Sequence, residues 1–200
     1  MFFTLHLKLR LISTKPQNNL IDLEIIEECR KGNMHYFRKL VEITSPFVFS
    51  VALRMMGDEP QARDIAQESM ITVWKAIYKI RSADSFKTWL YRIVVNKCYD
   101  QLRKRKRNPE VRADEKTWVF ISDKIYEEPF TEMENRETVQ IINLLTEKLS
   151  PKQKAVFVLS DLEEMSNEEI SSITGMSRTN VKANLHYARK RIGEMIEKHL

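Results

Sequence analysis

Apolar positions return at helical spacing along most of the chain. From Phe86 to Arg107, FKTWLYRIVVNKCYDQLRKRKR, the residues Phe86, Leu90, Val94, Cys98 and Leu102 fall on one stripe with Ile93 beside it. The opposite face presents Trp89, Arg92, Asn96, Tyr99 and Arg103. Upstream, Leu23, Ile26 and Cys29 predict a short helix over Leu20 to Arg30, ended by Gly32–Asn33. A longer pattern from Met34 to Met56 runs through Phe37, Leu40, Val41, Val48, Val51, Ala52 and Met55. Pro46 inside it predicts a kink or break near Ser45. Gly57 closes that segment, and Asp58 is placed to cap a third helix with Pro60 in its first turn. Along Pro60 to Ile80 the core line is Ile65, Ser69, Val73, Ile77 and Ile80, widened by Ala62, Ala66 and Met70. A short loop, Arg81 to Ser85, then leads into the helix first described. Four helices with short connections predict a compact bundle.

After Arg107 the periodicity fades. The stretch Asn108 to Thr131 contains Pro109 and Pro129 and reads as a linker. Its Trp118, Val119, Phe120, Ile121 and Ile125 are too many apolar side chains for an inert tether, so docking on something is expected. Periodicity returns with Val139, Ile142, Leu145 and Leu149. Ser150 is placed to cap the next helix, with Pro151 at its first position and Ala155, Val156 and Leu159 inward. The segment SNEEISSITGMSRTNVKANLHYARKRI predicts a helix–turn–helix. Ser166 and Glu169 form a capping box, Gly175 makes the turn, Ser177 caps the second helix, and Val181 and Leu185 anchor it. Outward from that helix lie Arg178, Asn180, Lys182, Ala183, Asn184, His186, Tyr187 and Arg189.

Composition agrees with an all-helical chain: only 4 Gly and 6 Pro in 200 residues. The expected architecture is all-α, two small helical domains over residues 20–107 and 132–200, joined by a linker over 108–131. Residues 1–19, beginning MFFTLHLKLRLI, lack a basic leading region and a small-residue cleavage site, and read as a disordered extension rather than a signal peptide. No apolar run is long enough to cross a membrane, and the expected location is cytoplasmic. Cys29 and Cys98 are far apart, and His6, His35, His186 and His199 are scattered. Neither a disulfide framework nor a metal site is suggested, and no cofactor is expected.

Charge is distributed unevenly. Phe86 to Arg107 holds eight basic side chains against Asp100 alone, a local +7 in a chain of +5. From Asn108 to Leu149 ten acids outnumber five bases, and from Met176 to Leu200 six bases outnumber two acids. A face of rings, an amide and guanidinium groups suits unpaired bases: rings stack on bases, Asn reads a base edge, and Arg neutralises phosphate. On that ground Trp89, Arg92, Asn96, Tyr99, Arg103, Lys104 and Arg105 are candidate DNA contacts; the plainer alternative is an amphipathic core helix with a solvated end. The polar patch of Asp64, Gln67 and Glu68, with Ile71 and Lys75, has simple solvent exposure as its alternative.

The order D-x-x-Q-E in a helix, F-x-x-W-L-Y-R-I-x-x-N before a basic run, an acidic linker, and L-S-P-K-Q-K-A-V-F-x-L before a helix–turn–helix resembles a bacterial RNA polymerase sigma factor. The likeness is to the small two-domain extracytoplasmic-function (ECF) group of the sigma-70 family, and it covers about Leu20 to Ile192. The resemblance implies that Asp64, Gln67 and Glu68, with Ile71 beside them, dock on the clamp of core RNA polymerase. It implies that Phe86 to Arg107 melts and reads the −10 promoter element, with Asn96 at a base-contacting position. The loop Arg81 to Ser85 matches one that captures a flipped −10 base, and the linker matches a segment that threads toward the polymerase cleft. Arg178, Asn180, Lys182, Asn184, His186 and Arg189 are then the candidate −35 contacts. Partners implied are core polymerase, promoter DNA and an anti-sigma factor, often membrane-bound; no stable homo-oligomer is expected. Ser171 and Thr174 depart from the usual helix–turn–helix pattern, where Ala and a larger apolar residue stand, and Ala183 and Asn184 prevent borrowing a −35 preference.

Two other classes make different demands on the sequence. A stand-alone helix–turn–helix regulator predicts dimerisation and paired half-sites, and no dimerisation heptads are present. A metal-dependent nuclease needs converging acids, whereas these lie on separate helices. No enzymatic activity is expected.

Overall fold

The computed structural model describes residues 21–80, 82–107 and 142–199, and among these no strand occurs. The helices are α1 (Leu23–Arg30), α2 (Met34–Met56), α3 (Glu59–Ala76), α4 (Ala83–Arg107), α5 (Pro151–Phe157), α6 (Asn167–Thr174) and α7 (Arg178–His199). A 3-10 turn, Ile77–Lys79, extends α3; a π-helical turn, Val158–Leu162, extends α5; a short helical stretch over 142–146 precedes α5. The expected docking of the linker's apolar residues, the extension over residues 1–19, and Val139 lie outside the described residues.

Helices α1 to α4 form the first unit. Local sequence sets most of its boundaries. The Asn33 side chain accepts from the His35 amide, starting α2, and Gly57 ends it at φ 66°, where a β-carbon would be strained. The Asp58 carboxylate accepts from the Gln61 amide at 2.9 Å, and the α3 core line is buried as expected. Three expectations change. In α1 it is Ile25, Ile26 and Cys29 that are buried, while Leu23 is half exposed, because this short helix seats against both α2 and the 3-10 turn. Pro46 does not break α2. It lies on the solvent side, where water can serve the Glu42 carbonyl that proline cannot, while Thr44, Phe47, Val48 and Val51 pin the helix to the core. The loop expected over Arg81 to Ser85 is shorter: Ser82 accepts from the Ser85 amide at 3.2 Å, so Ala83 already begins α4. Arg81 lies outside the described residues.

The second unit is built around α5. Ser150 and Gln153 form a reciprocal capping box. Expectation placed Ala155, Val156 and Leu159 inward, but the whole run from Lys154 to Leu159 is buried, with Asp161, Leu162 and Glu163 after it. A helix apolar all round has neighbours all round. Here α7 and, from the first unit, α4 pack on α5, while α6 and α2 pack on the π-helical turn that extends it. The helix–turn–helix follows the sequence reading: the Ser166–Glu169 capping box, Gly175 at φ 71°, and buried Val181 and Leu185. The two departures from the usual pattern tie the turn together. Ser171 Oγ donates to the Met176 carbonyl at 2.7 Å, and Thr174 Oγ1 donates to the Ile170 carbonyl at 2.6 Å.

Candidate nucleic-acid and partner interfaces

The basic helix α4 turns its apolar stripe inward: Phe86, Leu90, Val94 and Cys98 are fully buried. A second buried row, Tyr91, Val95 and Tyr99, runs beside it. That row corrects the expectation for Tyr99, whose ring is buried and whose hydroxyl, without a partner among the described residues, is pushed up to about 12 by burial. Trp89 is half-buried, its ring 5.9 Å from that of Phe86. Asn96, Arg103 and Lys104 are exposed on the outer face, Arg103 loosely paired with Asp100 at 3.9 Å.

Two of the predicted cations have internal work. Arg105 donates to the Met56 carbonyl at 2.9 Å and lies 3.9 Å from Asp58, so it serves the carbonyl end of α2. Arg92 donates to the Ser172 carbonyl on α6 at 2.5 Å. The first contact holds within one unit and the second joins the two.

On α3 the predicted patch is displayed as a group. Asp64, Gln67, Glu68 and Ile71 are all exposed, and Ile71 is an apolar side chain 46 % open to solvent. Lys97 of α4 donates to Glu68 at 3.0 Å. Beside the patch runs a groove of about 380 Å³ lined by Met34, Phe37, Val41, Met70, Ile71 and Trp74. Sequence reasoning missed this groove. Its signal was Ile71 standing in an otherwise polar face, and Trp74 one turn on, whose ring packs 4.6 Å from Phe37.

On α7, Arg178, Asn180, Lys182 and His186 are exposed, and Asn184 is partly covered, donating to the Asn180 carbonyl at 2.8 Å. Arg178 pairs with Glu168 across the turn at 3.0 Å. Arg189 differs from the rest. Its guanidinium grips the buried Asp161 carboxylate at two points, which raises its pKa further and commits it to holding α7 on the π-helical turn. Tyr187, 60 % exposed, is an aromatic ring on the same outer surface.

Between the units lie groups that the sequence did not single out. Arg54 and Glu163 form a buried ion pair across 109 positions of chain. The Lys154 ammonium is buried and donates to Asn143 at 3.1 Å; burial, with Arg105 nearby, lowers its pKa to about 8. Asn143 in turn packs directly against Gly57, where no β-carbon would fit. Cys29 and Cys98 are free thiols, pushed up by burial to about 11 and about 12. Among the described residues no group of three or more His, Cys, Asp or Glu is placed to hold a metal ion, and no helix is long and apolar enough to cross a membrane.

Comparison with known proteins gives consistent results. Family models match at residues 40–108 (Sigma-70 region 2) and 140–192 (Sigma-70, region 4). The chain is 30% identical to the ECF RNA polymerase sigma factor SigW of Bacillus subtilis over 86% of its own length and 94% of that protein's. It is 30% identical to the ECF RNA polymerase sigma-E factor of Salmonella typhimurium, covering 89% and 95%. Among solved structures it is similar to CnrH in complex with the cytosolic domain of CnrY, with TM-score 0.61, 20% identity and coverage of 88% and 97%. It is similar also to the sigma factor RpoE in complex with the anti-sigma factor NepR from Bartonella quintana, with TM-score 0.58, 21% identity and coverage of 80% and 96%.

Proposed function

The chain belongs to the extracytoplasmic-function group of the sigma-70 family, and from that membership we propose how its surfaces divide the work of starting transcription. It is a transcription initiation factor that binds core RNA polymerase and directs it to promoters.

The −10 element is taken by the outer face of α4. The observation that carries this is the joint exposure of Asn96, Arg103 and Lys104 on one face of the helix. Extruding a base costs a few kcal/mol, and stacking on an aromatic returns roughly 1–3 kcal/mol per base, so phosphate neutralisation has to supply the remainder. Trp89 offers the ring, Asn96 the paired donor and acceptor for a base edge, and Arg103 and Lys104 the charge. Arg92 joins them once its bond to Ser172 is released. Arg105 is better read as a brace for α2 than as a phosphate contact.

The −35 element is taken by α7 in the major groove through Arg178, Asn180, Lys182, Asn184 and His186. Arg189 sets the pitch of that helix through Asp161. Core polymerase is taken by Asp64, Gln67, Glu68 and Ile71, whose apolar side chain continues into the Met34–Phe37–Trp74 groove. Both solved relatives were captured with a partner, in one case an anti-sigma factor, and an anti-sigma protein is inferred as a partner here too.

The test of this division is a promoter panel transcribed by reconstituted holoenzyme. Asn96→Ala changes the ranking of promoters, whereas Lys104→Ala lowers all of them alike. Equal losses for both variants on every promoter would remove the assignment.

A further inference from the structure

Tyr78 is a large ring left 58 % exposed on the 3-10 turn between α3 and α4, and none of the surfaces assigned above uses it. Its neighbours fix it there. Ile77 and Ile80 are buried on either side, and the Ile80 amide donates to the Ile77 carbonyl at 3.0 Å. The turn is thus anchored by its apolar residues, while Tyr78 and Lys79 stand in solvent. A ring presented on an anchored turn has little freedom left to lose when something binds it.

Tyr78 forms one wall of a cleft of about 340 Å³, and the other lining residues, Glu27, Arg30 and Lys31, come from the end of α1 and the turn after it. Lys79 Nζ stands 5.5 Å from the centroid of the ring. Glu28 holds the Lys31 ammonium at 2.6 Å, so Arg30, Lys31 and Lys79 only slightly outweigh Glu27 and Glu28. An aromatic platform with a small excess of positive charge suits an unpaired base, whereas a duplex backbone calls for a denser basic face.

Position points to the same occupant. The turn runs through Ile80 into α4, which begins at Ala83, and Trp89 lies six residues, about 9 Å, further along that helix. A strand unpaired at the −10 element stays unpaired only toward the start site, since the DNA between the two promoter elements is duplex. We propose that the Tyr78 cleft is a second base-binding site, in which one base just past the −10 element, on the side of the start site, stacks on Tyr78 while Arg30 and Lys31 face the neighbouring phosphates. The inference rests on reading α4 as the −10 helix. The cleft shares no residue with the −10 face, so the two can be removed separately. Stacking carries the contact, so the ring sets its strength and base preference is small.

The experiment uses reconstituted holoenzyme on a promoter from the panel, with the non-template strand left unpaired from the −10 element to the start site, and follows decay of the complex after heparin challenge. Tyr78→Ala shortens the lifetime on the order of tenfold, and Tyr78→Phe stays within about twofold of the parent. Co-elution with core polymerase is unchanged in both. Arg30→Glu shortens the lifetime several-fold, and takes the place of Tyr78→Ala should that variant lose its helical circular dichroism. Abasic sites placed one at a time in the unpaired strand locate the contact. At one position past the −10 element the abasic site shortens the lifetime of the parent complex and adds nothing to Tyr78→Ala. An unchanged lifetime overturns the site, as does a Tyr78→Ala effect that adds to every abasic site alike. Lost co-elution also overturns it and gives the ring to a protein contact. Lys104→Ala in the same assay separates these failures from that of the underlying reading: a shortened lifetime keeps α4 on the −10 element, and an unchanged one removes that reading too.

Discussion

Arg189 Nε lies 2.9 Å from Asp161 Oδ2 and its Nη2 lies 2.6 Å from Oδ1, a two-point pair in which the carboxylate is buried and the guanidinium half exposed. The pair fastens the middle of α7 to the π-helical turn. Arg189→Ala therefore lowers the stability of the second unit by roughly 2–3 kcal/mol, below the ~3–5 kcal/mol for breaking a fully buried pair because one partner is half solvated. Asp161→Ala costs less, because the half-exposed guanidinium left behind regains water, and the double variant costs less than the sum of the two. Thermal unfolding of the four proteins checks this. Strict additivity would show that the pair contributes nothing.

Lys104 and Arg105 are neighbours in sequence with different attachments. Lys104→Ala reduces the salt dependence of DNA binding by about one counterion and leaves stability within ~0.5 kcal/mol. Arg105→Ala instead costs about 1 kcal/mol of stability, since the carbonyl end of α2 loses its donor. Salt titrations alongside urea melts separate the two.

The polymerase-facing patch predicts a mixed polar and apolar contact. Ile71→Asp and Asp64→Arg both abolish co-elution with core polymerase while leaving the helical signal unchanged. The Lys97–Glu68 pair is exposed and worth at most about 1 kcal/mol, so Lys97→Ala leaves polymerase binding within about threefold. Retained co-elution of Asp64→Arg would return this face to solvent.

Lys154 supplies a pH dependence. Its pKa falls from 10.5 in the unfolded chain to about 8 when buried, mainly through desolvation, so between those values the unfolded state binds more protons. The penalty is complete below pH 8 and is relieved as pH rises toward 10.5. Lys154→Met is accordingly more stable than the parent at pH 7.5, and the gap narrows by about 1.4 kcal/mol per pH unit above pH 8. Urea melts at pH 7.5, 8.5 and 9.5 report it; a constant gap would mean that Lys154 titrates normally.

Local chemistry was the legible part of the sequence. Ser166 with Glu169, Ser150 with Pro151, Asp58, Gly57 and Gly175 each act within a few residues of themselves, and each stands where it was read. Errors came where packing decided. Leu23 and Ile25 sit on nearly opposite sides of a short helix, and only the neighbours of α1 choose between them. Tyr99 lies at the edge of the apolar stripe, where one more packed neighbour takes it inside. The groups between the units were beyond reach, because nothing near Arg54 announces a carboxylate 109 positions later. One hint existed: the run AVFVL has no polar face, and such a helix has to be covered on every side.

The most direct test of the account is genome-wide transcription in vitro: purified core polymerase with genomic DNA of the source organism, with and without the chain, and sequencing of RNA 5′ ends. The account predicts a new set of 5′ ends that requires the chain, preceded by one shared pair of −35 and −10 sequences, and redistributed by Asn96→Ala. An identical set of 5′ ends with and without the chain would contradict it.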